Sequence, residues 1–135
     1  MKRLTVGLVL VAILLSALTV WKSSAISEEK YSHAGQLRHV VLFKFKEGTS
    51  KADIEKVEKA FATLPKKIPQ IAGFEWGTDC STENLSQGFT HCFILTFKSE
   101  KDRDAYLPHP EHQAFAKMVG QYLDKVLVID YIVRE

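Results

Sequence analysis

Apolar residues recur along this chain with two different periods, and the change from one to the other marks out its elements. From Leu37 to Lys46 (LRHVVLFKFK) β-branched and aromatic residues crowd together, which predicts a first strand. Thr49 or Ser50 can then cap a helix with Asp53 in its first turn. Ile54, Val57, Phe61 and Leu64 follow at intervals of three and four, on one helical face, and Pro65 and Pro69 are expected to close it. Phe74 to Cys80 reads as a second strand, the polar stretch through Gly88 as a loop, and Phe89 to Phe97 (FTHCFILTF) as a third strand. A helix from about Glu100 to Tyr106 meets a break at Pro108 and Pro110, and its continuation carries Phe115, Met118, Val119 and Tyr122 on one side. Val126 to Val133 (VLVIDYIV) supplies a fourth strand. The order βαββαβ predicts the α+β class: a ferredoxin-like sandwich with the helices on one face of an antiparallel sheet.

The strands alternate poorly. Val41 and Phe43 point to one side of the first strand and Val40 and Leu42 to the other; Phe93 and Leu95 oppose Cys92 and Ile94 in the third; Val126 and Val128 oppose Leu127 and Ile129 in the fourth. A sheet with one face in water should alternate apolar with polar residues, so both faces of this sheet call for burial. Helices cover only one. A second copy related by a twofold axis is the simplest cover for the other, which makes a homodimer through sheet faces the expected assembly.

The first residues carry a different signal. Lys2 and Arg3 precede an apolar run from Leu4 to Val20, and Ser23-Ser24-Ala25 follows it, the layout of a secretory signal peptide cleaved before Ile26. The same run is near the lower length limit for a membrane-spanning anchor. Residues 1–25 are therefore read as a leader, residues 26–36 as a polar linker, and residues 37–135 as one domain of an exported protein, periplasmic or extracellular, or membrane-anchored if the leader is retained. Losing the leader removes Lys2, Arg3 and Lys22 and no acid, so the formal charge falls by three from +2 to −1. A domain so near neutrality, without a cluster of basic residues beside exposed aromatics, has no footprint for nucleic acid.

Candidate chemistry concentrates in Tyr106-Leu107-Pro108-His109-Pro110-Glu111-His112. Pro110 suits the first position of a new helix, which places His112 in its first turn, and a phenol and an imidazole can then face one cavity from either side of the break. A neutral imidazole is favoured at the positive end of a helix dipole, as a base requires. The plainer reading packs His112 under the helix. His109 is expected to bond the local backbone at the turn. His39 and His91 share the sheet face of Val41 and Phe93 and are expected to be buried and hydrogen-bonded. His109 and His112 lack the third ligand of a zinc motif, and no phosphate-binding glycine loop, nucleophile elbow or CxxC pair occurs, so neither metal nor cofactor is expected. A simple hairpin sets Cys92 opposite about Thr78, which leaves Cys80 and Cys92 as two separate small core residues.

Several separated segments resemble the stress-responsive dimeric α/β-barrel, or Dabb, family, which includes a heat-stable plant stress protein and a plant polyketide cyclase that makes olivetolic acid. They are His39 to Lys46 (HVVLFKFK), Trp76-Gly77, Glu83 to His91 (ENLSQGFTH), Tyr106 to His112 and Leu123 to Tyr131 (LDKVLVIDY), in order and spanning nearly the whole domain. The resemblance implies a ferredoxin-like fold whose dimer closes two sheets into a barrel. It also implies a catalytic pair, with His112 as base and Tyr106 holding or polarising a carbonyl. The ligand cavity it implies is walled by His39, Val41, Phe43, Val57, Phe61, Leu95, Phe115, Leu123, Val126 and Val128. Phe61 and Leu123 replace a tyrosine and a tryptophan of the cyclase, so the shape of its polyketide does not carry over. Two functions of different classes follow. One is an exported, non-catalytic homodimer that binds a small apolar ligand or acts in a stress response. The other is a cofactor-independent cyclase or lyase using Tyr106 and His112. A cofactor-independent monooxygenase, as in related dimeric barrels, is a third.

Overall fold

The computed structural model describes residues 33–134, so the leader and most of the linker lie outside the described residues. Four strands, β1 (Leu37–Phe45), β2 (Gly73–Thr78), β3 (His91–Phe97) and β4 (Leu123–Ile132), form one antiparallel sheet in the order β2-β3-β1-β4. Helix α1 (Lys51–Lys67) follows β1, while α2 (Glu100–Tyr106) and α3 (Pro110–Gly120) lie between β3 and β4. This is the ferredoxin-like α+β arrangement that the alternation of periods predicts.

Local chemistry sets most boundaries. Ser50 caps α1 by accepting from the Asp53 N–H at 3.1 Å, and Ser99 does the same for α2 from the Asp102 N–H at 3.2 Å. Pro65 does not close α1. It sits in the last turn, where a missing N–H removes a single helical bond, and the ladder resumes with the Ile68 N–H donating to the Leu64 carbonyl at 2.9 Å. Strand β3 starts at His91, two residues later than expected, because the Phe89 N–H turns back to the Ser86 carbonyl. Strand β4 starts at Leu123, three residues earlier, where an irregularity at Lys44 and Phe45 of β1 extends the pairing. Cys92 faces Gly77 and is half-buried, whereas Cys80 lies beyond the end of β2 and is exposed, so Cys80 is a loop residue and not a core one; both thiols are free.

The core lies between the sheet and the helices and is aromatic. Phe61 of α1 is at its centre, with ring centroids 4.4 Å from Phe93, 4.5 Å from Phe115 and 5.9 Å from Phe43. Offset and tilted rings at these distances add to the burial energy of each side chain. On the opposite side of the sheet the register lines up Ile94, Val40 and Ile129 in one row, and Cys92, Leu42 and Leu127 in the next. No described element covers these rows. Ile129 is 51% exposed and Leu127 41%. Contiguous apolar rows of this kind are the feature by which interaction surfaces are recognised.

Candidate functional site

Edge strand β4 is uncovered on its helix-facing side as well, since the helices pack over β1, β2 and β3 and leave Val126 and Val128 exposed. A cleft of about 320 Å³ opens between that strand and α3. His39, Val41, Phe43, Phe61, Tyr106, His112, Phe115, Leu123, Val126 and Val128 all line it. Val57 and Leu95, also expected on the wall, are wholly buried in the core behind it. Leu107, Ala116, Val119 and Gly120 line it without having been anticipated. This volume lies at the small end of ordinary ligand cavities, and the mostly apolar wall with a few convergent polar groups is their usual make-up.

The polar groups are set by the break between α2 and α3. Tyr106 ends α2 and is 1% exposed; His112 occupies the first turn of α3, half-buried, with its ring centroid 4.2 Å from that of Tyr106. His109 caps α3 through its ring nitrogen, accepting from the Glu111 N–H at 3.2 Å, as a turn histidine should. The bond that matters most joins His112 Nδ1 to the Leu107 carbonyl oxygen at 2.8 Å. A carbonyl only accepts, so Nδ1 carries the hydrogen, and the neutral ring keeps its lone pair on Nε2. Burial, reinforced by His39 and His109 and opposed by the Leu107 carbonyl, holds the His112 pKa below its ordinary value. Burial also pushes the Tyr106 phenol well up, so it remains a donor across the physiological range. The cleft thus presents an unprotonated base beside a protonated phenol.

His39 and His91 are buried and bonded, as their sheet positions predict. His39 Nδ1 meets Asp130 Oδ1 at 2.6 Å, and His91 bonds Glu58 at 3.0 Å and the Thr90 hydroxyl at 2.8 Å. Asp130 escaped prediction, although a signal existed. It is the one acid in the apolar stretch Val126 to Val133, on the parity of Val126 and Val128, and the register puts it directly opposite His39. An acid at a position facing the core requires a partner. Among the described residues no group of three or more histidine, cysteine, aspartate or glutamate side chains is placed to hold a metal ion.

The protonation of His112 has a measurable consequence. Its folded-state pKa lies below the ordinary imidazole value of 6.5, so the unfolded chain takes up the proton first as the pH falls. The contribution of the neutral ring to stability is therefore complete above pH 6.5 and is lost as the pH drops through the folded-state value. An imidazole NMR titration should place the His112 midpoint below 6.5, and the acid-side loss of stability should be smaller in His112→Gln than in the wild type. A midpoint above 6.5 would contradict the burial argument.

An antiparallel ferredoxin-like sheet with one bare face and a cleft under its edge strand defines a class of small α+β domains. Within that class, the chain belongs to the Stress responsive A/B Barrel Domain (Dabb) family, whose model matches residues 37–133. It is 46% identical over 97 residues to the stress-response A/B barrel domain-containing protein HS1 of Arabidopsis thaliana, a match covering 72% of this chain and 89% of that protein. It is 30% identical over 99 residues to olivetolic acid cyclase of Cannabis sativa, covering 73% and 98%. Among solved structures it is similar to a hydroxynitrile lyase from Passiflora edulis, at 29% identity and TM-score 0.71, over 76% of this chain and 96% of that one. A dimeric ferredoxin-like protein of unknown function from Bacteroides fragilis aligns at 25% identity and TM-score 0.61, over 73% and 97%.

Proposed function

We propose that this protein is an exported homodimer that binds a small, largely apolar carbonyl compound in the cleft between β4 and α3. The observation that carries the reading is the pairing of an apolar cavity with two polar groups fixed in complementary states, the Tyr106 phenol as donor and His112 Nε2 as acceptor. The bare sheet face and the description of a structural neighbour as dimeric support the homodimer. The charged start, apolar run and small residues of the leader support export.

Titrating a panel of phenolic and polyketide-like ketones into labelled protein tests the binding. At least one should move the ring resonances of His112 and of the cleft phenylalanines while leaving the far side of α1 unaffected. A panel that moves none of them would exclude the reading. Export is tested separately by expressing the full chain in a secreting bacterium. The product should begin at Ile26 outside the cytoplasm, and an intact leader in the membrane fraction would mean an anchor.

The unprotonated state of His112 favours a second, catalytic reading. A base of this kind can take a proton from a carbon beside a carbonyl, as an aldol ring closure requires, or from the hydroxyl of a hydroxynitrile as its carbon–carbon bond breaks to give a carbonyl and cyanide. Both steps need an unprotonated base with a donor such as Tyr106 at the oxygen. Two similar proteins are named as a cyclase and a hydroxynitrile lyase, reactions that share this need. The fold does not choose between them.

A further inference from the structure

Behind the Tyr106 and His112 pair lies a chain of polar and charged groups that neither of them hydrogen-bonds. Asp104 Oδ1 accepts from Arg103 Nε at 2.8 Å, an Arg103 terminal nitrogen donates to Asp130 Oδ2, and Asp130 Oδ1 accepts from His39 Nδ1 at 2.6 Å. The chain starts on α2, crosses to β4 and ends on β1, with His39 on the wall of the cleft. The Arg103 side chain is 20% exposed and that of Asp130 28%, whereas His39 is 5% exposed and packed edge-on against Phe97 and Tyr106.

We propose that Arg103 is a positioning residue for ligand recognition: by occupying one oxygen of Asp130 it aims the other at His39, fixing a tautomer that offers Nε2 to a hydroxyl group on the ligand. The proposal rests on the cleft being a ligand site. An aspartate on an edge strand is free to turn about its terminal torsion toward water, and a hydrogen-bonded guanidinium on the far oxygen removes that freedom. With Asp130 so held, Nδ1 carries the hydrogen, and the ring in its neutral form offers Nε2 as an acceptor, the described residues giving that nitrogen no hydrogen-bond partner. The cleft then holds one donor, Tyr106, and two acceptors, His39 and His112. That set fits a ketone that also bears a hydroxyl, because the carbonyl takes the donor and the hydroxyl takes an acceptor. A ligand with its hydroxyl capped leaves a buried acceptor unpaired and binds more weakly.

The test uses nitrogen NMR of the imidazoles together with two probes, para-hydroxyacetophenone and its para-methoxy analogue. Wild type should show the Nδ1-protonated form of neutral His39 and prefer the hydroxy ketone by about tenfold, the effect of one net hydrogen bond. In Arg103→Met the His39 nitrogens should shift toward a mixture of tautomers and the preference should fall to near unity, with binding of the methoxy ketone unchanged. Arg103→Lys should restore part of both. An Arg103→Met protein with the wild-type nitrogen shifts would overturn the proposal, as would one that retains the preference. A wild type that takes up neither ketone would tell against the binding reading for these probes, and the nitrogen shifts would still decide whether Arg103 fixes the tautomer.

Discussion

His112→Ala is expected to abolish measurable turnover of a carbonyl substrate, a loss of about 10²–10⁴-fold for a positioned general base, with the fold intact. Tyr106→Phe should act on the same step through the carbonyl oxygen. The phenol is buried, yet its ring makes the packing contacts with Phe97 and His39, and phenylalanine retains that ring. If the protein only binds its ligand, both variants should weaken binding by about tenfold, the value of one hydrogen bond from a neutral group. His112→Ala also leaves the Leu107 carbonyl without its imidazole donor, but the Gln113 side chain still donates to it at 2.6 Å, so the structural penalty should be small. A purely structural His112 gives the opposite pattern. Stability would fall by about 1–3 kcal/mol while ligand affinity stayed the same. Thermal unfolding and ligand titration on the same preparations separate the two outcomes.

Val40→Lys should have the largest effect on assembly. Val40 lies between Ile94 and Ile129 in one apolar row across the bare face of the sheet, with Glu75 of β2 only beyond Ile94, and an ammonium in the middle of that row would have to be desolvated without a partner when two copies meet. The penalty is on the order of several kcal/mol, enough to dissociate an ordinary dimer. The side chain lies on the face away from the aromatic core, so the protomer itself should fold. Sedimentation should find a folded monomer. An equally stable dimer would move the interface elsewhere.

The fold was legible because its elements announce themselves by period, cap and turn. Ser50 with Asp53 marks the start of α1, Pro110 the start of α3, and the doubled apolar parity of β1, β3 and β4 gives both the helix-covered face and the bare one. Boundaries were less legible where tertiary bonds decide them. The last turn of α1 tolerates Pro65, and β4 gains Leu123 through its pairing with Phe45. At the site, the residues of one short segment were readable and those joined only by register were not. Tyr106 and His112 are six positions apart, whereas Asp130 meets His39 across two strands and 91 positions. Arg103 gave no sign in sequence, because a single arginine on a short polar helix looks like any solvated charge until the helix is docked. Val57 and Leu95 share a face with true wall residues but lie deeper, and periodicity gives a side without giving a depth.

Native mass spectrometry of the purified protein tests the account most directly, since one spectrum reports both assembly and occupancy. The account predicts a species of twice the subunit mass that carries a small organic molecule or takes one up on addition of para-hydroxyacetophenone, with uptake weakened about tenfold in His112→Ala. A monomer that never takes up the ketone, or a dimer whose uptake is the same in His112→Ala, would contradict it.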